Sequence, residues 1–222
     1  MLQKYSSYLL LFNMVFHYYK FFSWYLSDQK IQIEHAFTLG LIAFSSGIIF
    51  IAFIHLCYFP KKITNAASIP TFPPLIMLFC LNLGFLIGIS NLYTLQLYEL
   101  PSFFNIFRSK ELGFLIIMTS ILLVFFSVDL FRKNNEDPNP TTKSIRLITT
   151  GIYRYIRNPM YLALILFQIG VGVSLSFIHI SLMSILTVIL LHYLVIIKEE
   201  MYLKKTFGYE YENYISNSRR WI

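Results

Sequence analysis

Charge is what this 222-residue chain has least of. Asp, Glu, Lys and Arg together make up 13% of it, against about 25% in soluble domains. Too few charged groups are present to cover a whole surface for water, which excludes a soluble globular enzyme. A disordered chain is excluded by the opposite argument, since it needs high charge and low hydrophobicity. Cysteine is nearly absent. Cys57 and Cys80 both lie in apolar runs, so neither a disulfide framework nor a metal site is expected. Acidic residues are outnumbered 11 to 18 by Lys and Arg, for a net charge of +7. The basic residues sit mostly between apolar stretches, where they read as topology determinants and phosphate contacts. A nucleic-acid partner is not expected. No small-residue cleavage site follows the first apolar run, so a cleavable signal peptide is not expected either. Internal repeats and low-complexity tracts are lacking.

What is abundant is apolar and aromatic: 56% hydrophobic residues and 18% Phe, Trp and Tyr, with a mean hydropathy of +0.60. This composition predicts an integral membrane protein. A bilayer core needs roughly 20 apolar residues as helix, and six stretches approach that: 8–26, 36–59, 75–98, 112–131, 160–178 and 182–197. The first is interrupted by Asn13, His17 and Lys20 and is the weakest. The last two are joined by a very short turn around His179 and must form a tight antiparallel hairpin. The expected fold is an all-α polytopic bundle of five or six transmembrane helices. An amphipathic helix follows, because Glu199, Glu200, Leu203, Phe207, Tyr211 and Tyr214 recur at spacings of three and four, with Gly208 as a break. Arg132, Lys133, Lys143, Arg146, Arg154 and Arg157 share one loop, and Lys198, Lys204, Lys205, Arg219 and Arg220 follow the last span. The positive-inside rule places both regions in the cytoplasm. A bacterial inner membrane is the expected location, or the endoplasmic reticulum if the source is eukaryotic.

Polar residues concentrate at the cytoplasmic mouth of that hairpin. Before it runs Gly151-Ile152-Tyr153-Arg154-Tyr155-Ile156-Arg157-Asn158-Pro159-Met160-Tyr161. After it run Lys198-Glu199-Glu200, Leu203 and Phe207-Gly208-Tyr209-Glu210-Tyr211. The hairpin returns the second block to the first. An Arg, an Asn, several Tyr and two carboxylates then meet beside a lipid-facing wall, which suits a charged cofactor meeting an amphiphile. His192, seven residues before Glu199, falls on nearly the same face of a regular helix. It is a candidate for touching a substrate head group, although hydrogen-bonded packing is the stronger reading. His17 and His55 read as packing residues, and Gly84 and Gly88 form a G-x-x-x-G pair suited to helix contact.

The strings ITTGIYRYIRNPMYLA, EEMYLKKTFGYEYENY and RRWI resemble the isoprenylcysteine carboxyl methyltransferase and phospholipid methyltransferase superfamily. Its pattern is a G-x-Y-x-x-x-R-[HN]-P-x-Y block, an apolar hairpin and then E-E-x-x-L-x-x-x-F-G-x-x-Y-x-x-Y. Every fixed position is filled. The resemblance extends from about residue 70 to the end and leaves 1–65 as an N-terminal membrane extension, with 66–222 as the methyltransferase domain. It implies an integral membrane enzyme that uses S-adenosyl-L-methionine, methylates a lipophilic small-molecule acceptor and has its site on the cytoplasmic side. It carries cofactor contacts onto Tyr153, Asn158, Pro159, Met160, Tyr161 and Glu199, and backbone contacts onto Ile145, Arg146, Leu147 and Ile148. Arg157 and Glu200 match family positions and are the candidate catalytic pair.

Two departures bear on the acceptor. The prenylcysteine branch has His after the motif Arg, where this chain has Asn158. It also has an Arg one turn before the first Glu, where this chain has Val195. Both favour a lipid amine or another apolar small molecule over a prenylcysteine carboxylate. Membrane sterol-type reductases, which use a nicotinamide cofactor, share the C-terminal hairpin and form the competing enzyme class. A membrane scaffold without turnover is the non-catalytic alternative.

Overall fold

The computed structural model describes residues 2–27 and 33–221. Within them the regular structure is helical, apart from one isolated parallel bridge between Ile156 and Arg219. The helices are α1 (Leu2–Tyr25), α2 (Ile33–Tyr58), α3 (Pro73–Ser90), α4 (Lys110–Lys133) and α5 (Pro159–Ser174). Then α6 (Ile178–Leu182), α7 (Ser184–Leu191) and α8 (Ile197–Phe207) run on as one 30-residue rod, followed by α9 (Tyr209–Asn217). Four stretches are long and apolar enough to cross a bilayer: Glu34–Tyr58, Pro73–Leu95, Lys110–Lys133 and Ile178–Phe207. The polytopic helical bundle expected from the sequence is the observed architecture. α1 is less apolar than these four, and α5 is shorter.

Local chemistry sets the helix ends. Proline opens both α3 and α5 at a position whose N–H would have no helical partner. The Ser109 hydroxyl caps α4 by accepting from Leu112 N–H at 3.2 Å. Gly208, at φ +52°, ends α8 and lets α9 turn away. The hairpin turn departs from expectation. It lies at residues 175–177, not around His179. Ser176 takes φ +55°, Phe177 N–H donates to Gly172 O at 2.8 Å, and His179 is buried inside α6. The turn could lie inside an apolar run because it satisfies the end of α5 with its own backbone N–H groups.

Packing rests on small residues. α4 buries Gly113, Ser120 and Ser127, one per seven residues, against α5. A methyl on Gly113 would meet the backbone of Ser174, and Gly170 faces Ile117 and the Gly113 carbonyl. The Ser120 hydroxyl donates to Ala163 O at 2.8 Å. The seam lets two backbones approach closely where lipid supplies no hydrophobic drive. The opposite face of α4, with Phe114, Leu115, Leu122 and Phe125, is exposed and suits lipid. Gly84 and Gly88 also serve a contact: they admit the His179–Ile180 backbone and the Phe177 ring. Gln168, fully buried, donates to Ile180 O and accepts from Thr187, so its amide is satisfied on both sides. α1 and α2 pack directly on this assembly. Phe21 and Phe22 pack edge-on or tilted against Phe85 and Phe177, and the Tyr18 hydroxyl donates to Asn82 Oδ1 at 2.7 Å.

α4 has 24 residues and α5 has 16, so α4 is longer by roughly 12 Å at 1.5 Å per residue. The chain between them must fold back down. Gly151 does so beside Leu130, and Tyr153 lies edge-on to Phe131 with ring centres 5.6 Å apart. The polar block before α5 is thereby brought below the tip of α4.

Gly113→Ala is expected to destabilise the folded protein by about 1–3 kcal/mol through overpacking of the α4–α5 seam. Phe125→Ala on the lipid-facing side is expected to change stability by less than about 0.5 kcal/mol. Thermal unfolding of both variants in the same detergent checks the contrast.

Candidate cofactor cleft

Both polar blocks line one cleft at the end of the bundle where α4 finishes and α5 begins. The cleft has about 640 Å³ of empty space when its open mouth is included. Its walls come from the 137–148 loop, the Gly151–Arg154 turn, α8 and α9.

Of the residues singled out in the sequence, Arg146, Leu147, Ile148, Tyr153, Arg157, Asn158, Glu199 and Glu200 line this space. Ile145 does not. Its side chain is exposed, and its backbone N–H is turned to the Glu136 carboxylate at 3.1 Å. Pro159 and Met160 lie outside the lining, where Pro159 opens α5. Tyr161 stands behind the wall, donating its hydroxyl to Glu199 Oε2 at 2.7 Å. His192 is not among the lining residues. It starts a π-helical turn, His192–Ile196, and packs edge-on to Tyr193 at 4.9 Å. A π turn inserts one residue into the helical repeat, so seven residues no longer return to the same face.

Arg157 and Glu200 form the joint of the cleft. Arg157 Nε donates to Glu200 Oε1 at 3.3 Å, and its Nη1 donates to the carbonyls of Ile215 and Ser218. Arg220 Nε and Nη2 donate to Glu200 Oε1 and Oε2 at 3.0 and 2.6 Å, a two-pronged pairing. Only 10% of the Arg157 side chain and 13% of the Glu200 side chain are exposed, so these charges have little water to compete for them. Backbone bonds complete the closure. Arg157 N–H donates to Arg219 O and Arg219 N–H to Tyr155 O, while Asn158 Nδ2 donates to Arg220 O at 2.9 Å. Nε and Nη1 of Arg157 are thus engaged by the protein itself. Arg146 lines the cleft and forms no side-chain ion pair among the described residues.

Sequence reasoning missed several contributors. Glu136 is buried and accepts from the N–H groups of both Ile145 and Arg146, which shapes the segment expected to touch a cofactor. Its signal was the Glu136-Asp137 pair at the head of the loop. The Tyr202 hydroxyl accepts from Ser144 N–H at 3.0 Å and pins the same segment. Tyr211 and Tyr214 also line the cleft, and the Tyr214 hydroxyl donates to Tyr153 O at 2.7 Å. Tyr153 lines the cleft, while its hydroxyl is buried beside Ser127 of α4.

Burial raises the tyrosine hydroxyls of this region: Tyr153 and Tyr211 well above the usual 10, and Tyr214 to about 12. These groups stay protonated in the fold after an unfolded chain has ionised its own near pH 10. Their contribution to stability is therefore complete below pH 10 and is lost as the pH rises through 12. The melting temperature in detergent is expected to fall across that window, and Tyr214→Phe is expected to flatten the fall. Arg157→Ala is expected to cost about 2–3 kcal/mol, since one buried partner of Glu200 disappears while Arg220 remains. Arg157→Lys is expected to recover only part of this loss, because an ammonium cannot serve both Glu200 and the α9 carbonyls. Chemical denaturation of both variants checks it.

No curated protein matches this chain. Residues 108–210, from the start of α4 to the first residues of α9, match the phospholipid methyltransferase family. That match takes in the first polar block and all of the second but Tyr211, and it is consistent with the superfamily the motifs resemble.

Proposed function

We propose that the protein transfers a methyl group from S-adenosylmethionine to an acceptor dissolved in the membrane, a lipid amine or other apolar small molecule. The observation that carries this reading is the meeting of Glu199, Arg146, Tyr153 and the 146–148 segment in the one cleft that both polar blocks line. These groups fit the cofactor. Tyr161 engages one oxygen of Glu199 and leaves the other for an ammonium or ribose hydroxyls. Arg146 is the cation for the cofactor's carboxylate, because Arg157 is already committed to Glu200 and the α9 end. The tyrosine rings supply electron-rich faces for a sulfonium. Bound there, S-adenosylmethionine would supply an electrophilic methyl group with a neutral thioether as leaving group, and an amine acceptor would have to arrive as the free base.

The chain's own part is to orient and to exclude water. Glu136 and Tyr202 hold the 144–146 backbone, and the ion-paired joint holds the floor, so the reacting atoms meet in a fixed geometry. An apolar groove of about 1010 Å³ runs between α3, α4 and α5, lined by Met77, Val124, Phe125 and Phe167. It ends at Asp129 and Arg132, beside the cleft wall at Phe131. That groove supports sideways access for a lipid acceptor. Val195 is fully buried in the apolar core, so no cation stands there for a prenylcysteine carboxylate, which favours an amine.

Labelled S-adenosylmethionine, incubated with purified protein and membrane extract from its own source, is expected to pass label into an organic-soluble product. Glu199→Gln is expected to weaken cofactor binding at least tenfold, the worth of a hydrogen bond to a charged group. Neither transfer nor cofactor binding by the wild-type protein would overturn the reading.

A further inference from the structure

α8 sorts its charges between two faces. Glu199, Glu200 and Leu203 turn to the cleft. Lys198, Met201, Tyr202 and Lys205, spaced i, i+3, i+4 and i+7, share the other face and line a separate groove of about 1340 Å³ including its open mouth. Lys143 from the loop after α4 and Asn65 and Ser68 from the segment before α3 complete it. Its lining has three lysines and no acidic residue. None of the three lysines is in an ion pair among the described residues. Like charges gathered without a counter-charge disfavour one another, and a bound anion relieves this.

The groove is held in shape from behind. Ala67 and Ile69 are buried in the same core as Val195 and Ile196, which anchors the segment bearing Ser68. The Ser144 N–H to Tyr202 hydroxyl bond ties Lys143's neighbour to α8. The groove lies at the end of a membrane-spanning rod, and Met201 is 60% exposed beside the lysines. Cations with hydroxyl and amide donors suit a phosphate. An exposed apolar residue and the lysine stems suit the glycerol and acyl region next to it.

We propose that this groove binds the phosphate head group of an anionic membrane lipid, as a second lipid site separated from the methyl-transfer cleft by α8. The site needs neither cofactor nor turnover, so its test is independent of the proposed reaction.

The test uses the full-length protein released from mixed phosphatidylglycerol and phosphatidylcholine bilayers, with retained lipid counted by native mass spectrometry. Phosphatidylglycerol is expected to be retained at least tenfold over phosphatidylcholine. Lys198→Gln with Lys205→Gln is expected to abolish that preference, whereas the two Lys→Arg changes, which keep the charge, are expected to preserve it. Arg108→Gln with Lys110→Gln, at the opposite end of α4, is expected to leave it intact. Equal retention of the two lipids, or full preference in the double Gln variant, would overturn the proposal. Complete displacement of phosphatidylglycerol by an equal concentration of soluble glycerol phosphate would also overturn it, by assigning the groove to free phosphate.

Discussion

Glu200 receives two arginines that arrive from opposite directions along the chain, and the cleft depends on that meeting. Arg157 approaches from the turn before α5, and Arg220 from the segment after α9. Without the carboxylate between them, two guanidinium groups would repel across a site with little water. With it, three segments far apart in sequence are locked at one point. The parallel bridge between Ile156 and Arg219 and the Asn158 bond to Arg220 O form on top of this lock. The same joint takes up the Nε and Nη1 donors of the motif arginine in building the floor.

A second constraint sets the depth of the cleft. Small residues bring α4 and α5 together along their length, and α5 is the shorter helix. The loop between them is forced to descend, and Gly151 at φ +59° and Tyr153 against Phe131 record that descent. The polar groups are therefore set beside the apolar groove of α3, α4 and α5. Under the proposed reaction, this nearness is what would let a charged cofactor meet a lipid acceptor.

α8 then divides the chemistry. Its carboxylates face one hollow and its lysines another, with Tyr202 and Ser144 as the bond between the two walls. The π turn at His192–Ile196 precedes this helix and resets its rotation. It directs Glu199 and Glu200 to the cleft while His192 is directed elsewhere.

Composition and spacing alone determined the membrane setting, the all-helical class and the two polar blocks, because hydropathy and residue order are local properties that survive any later packing. The Gly84–Gly88 pair and the Gly208 break were legible for the same reason. The position of the hairpin turn was not, since Ser176 and Phe177 look like ordinary span residues until the turn closes on the carbonyls of α5. The facing of His192 was hidden too, because a regular helical period cannot reveal an inserted residue. Glu136, Tyr202 and Arg220 became visible as site builders only in three dimensions, where the partner of each lies at least nine residues away and often several helices away. A carboxylate's role depends on which donors surround it, and only the tertiary structure decides that.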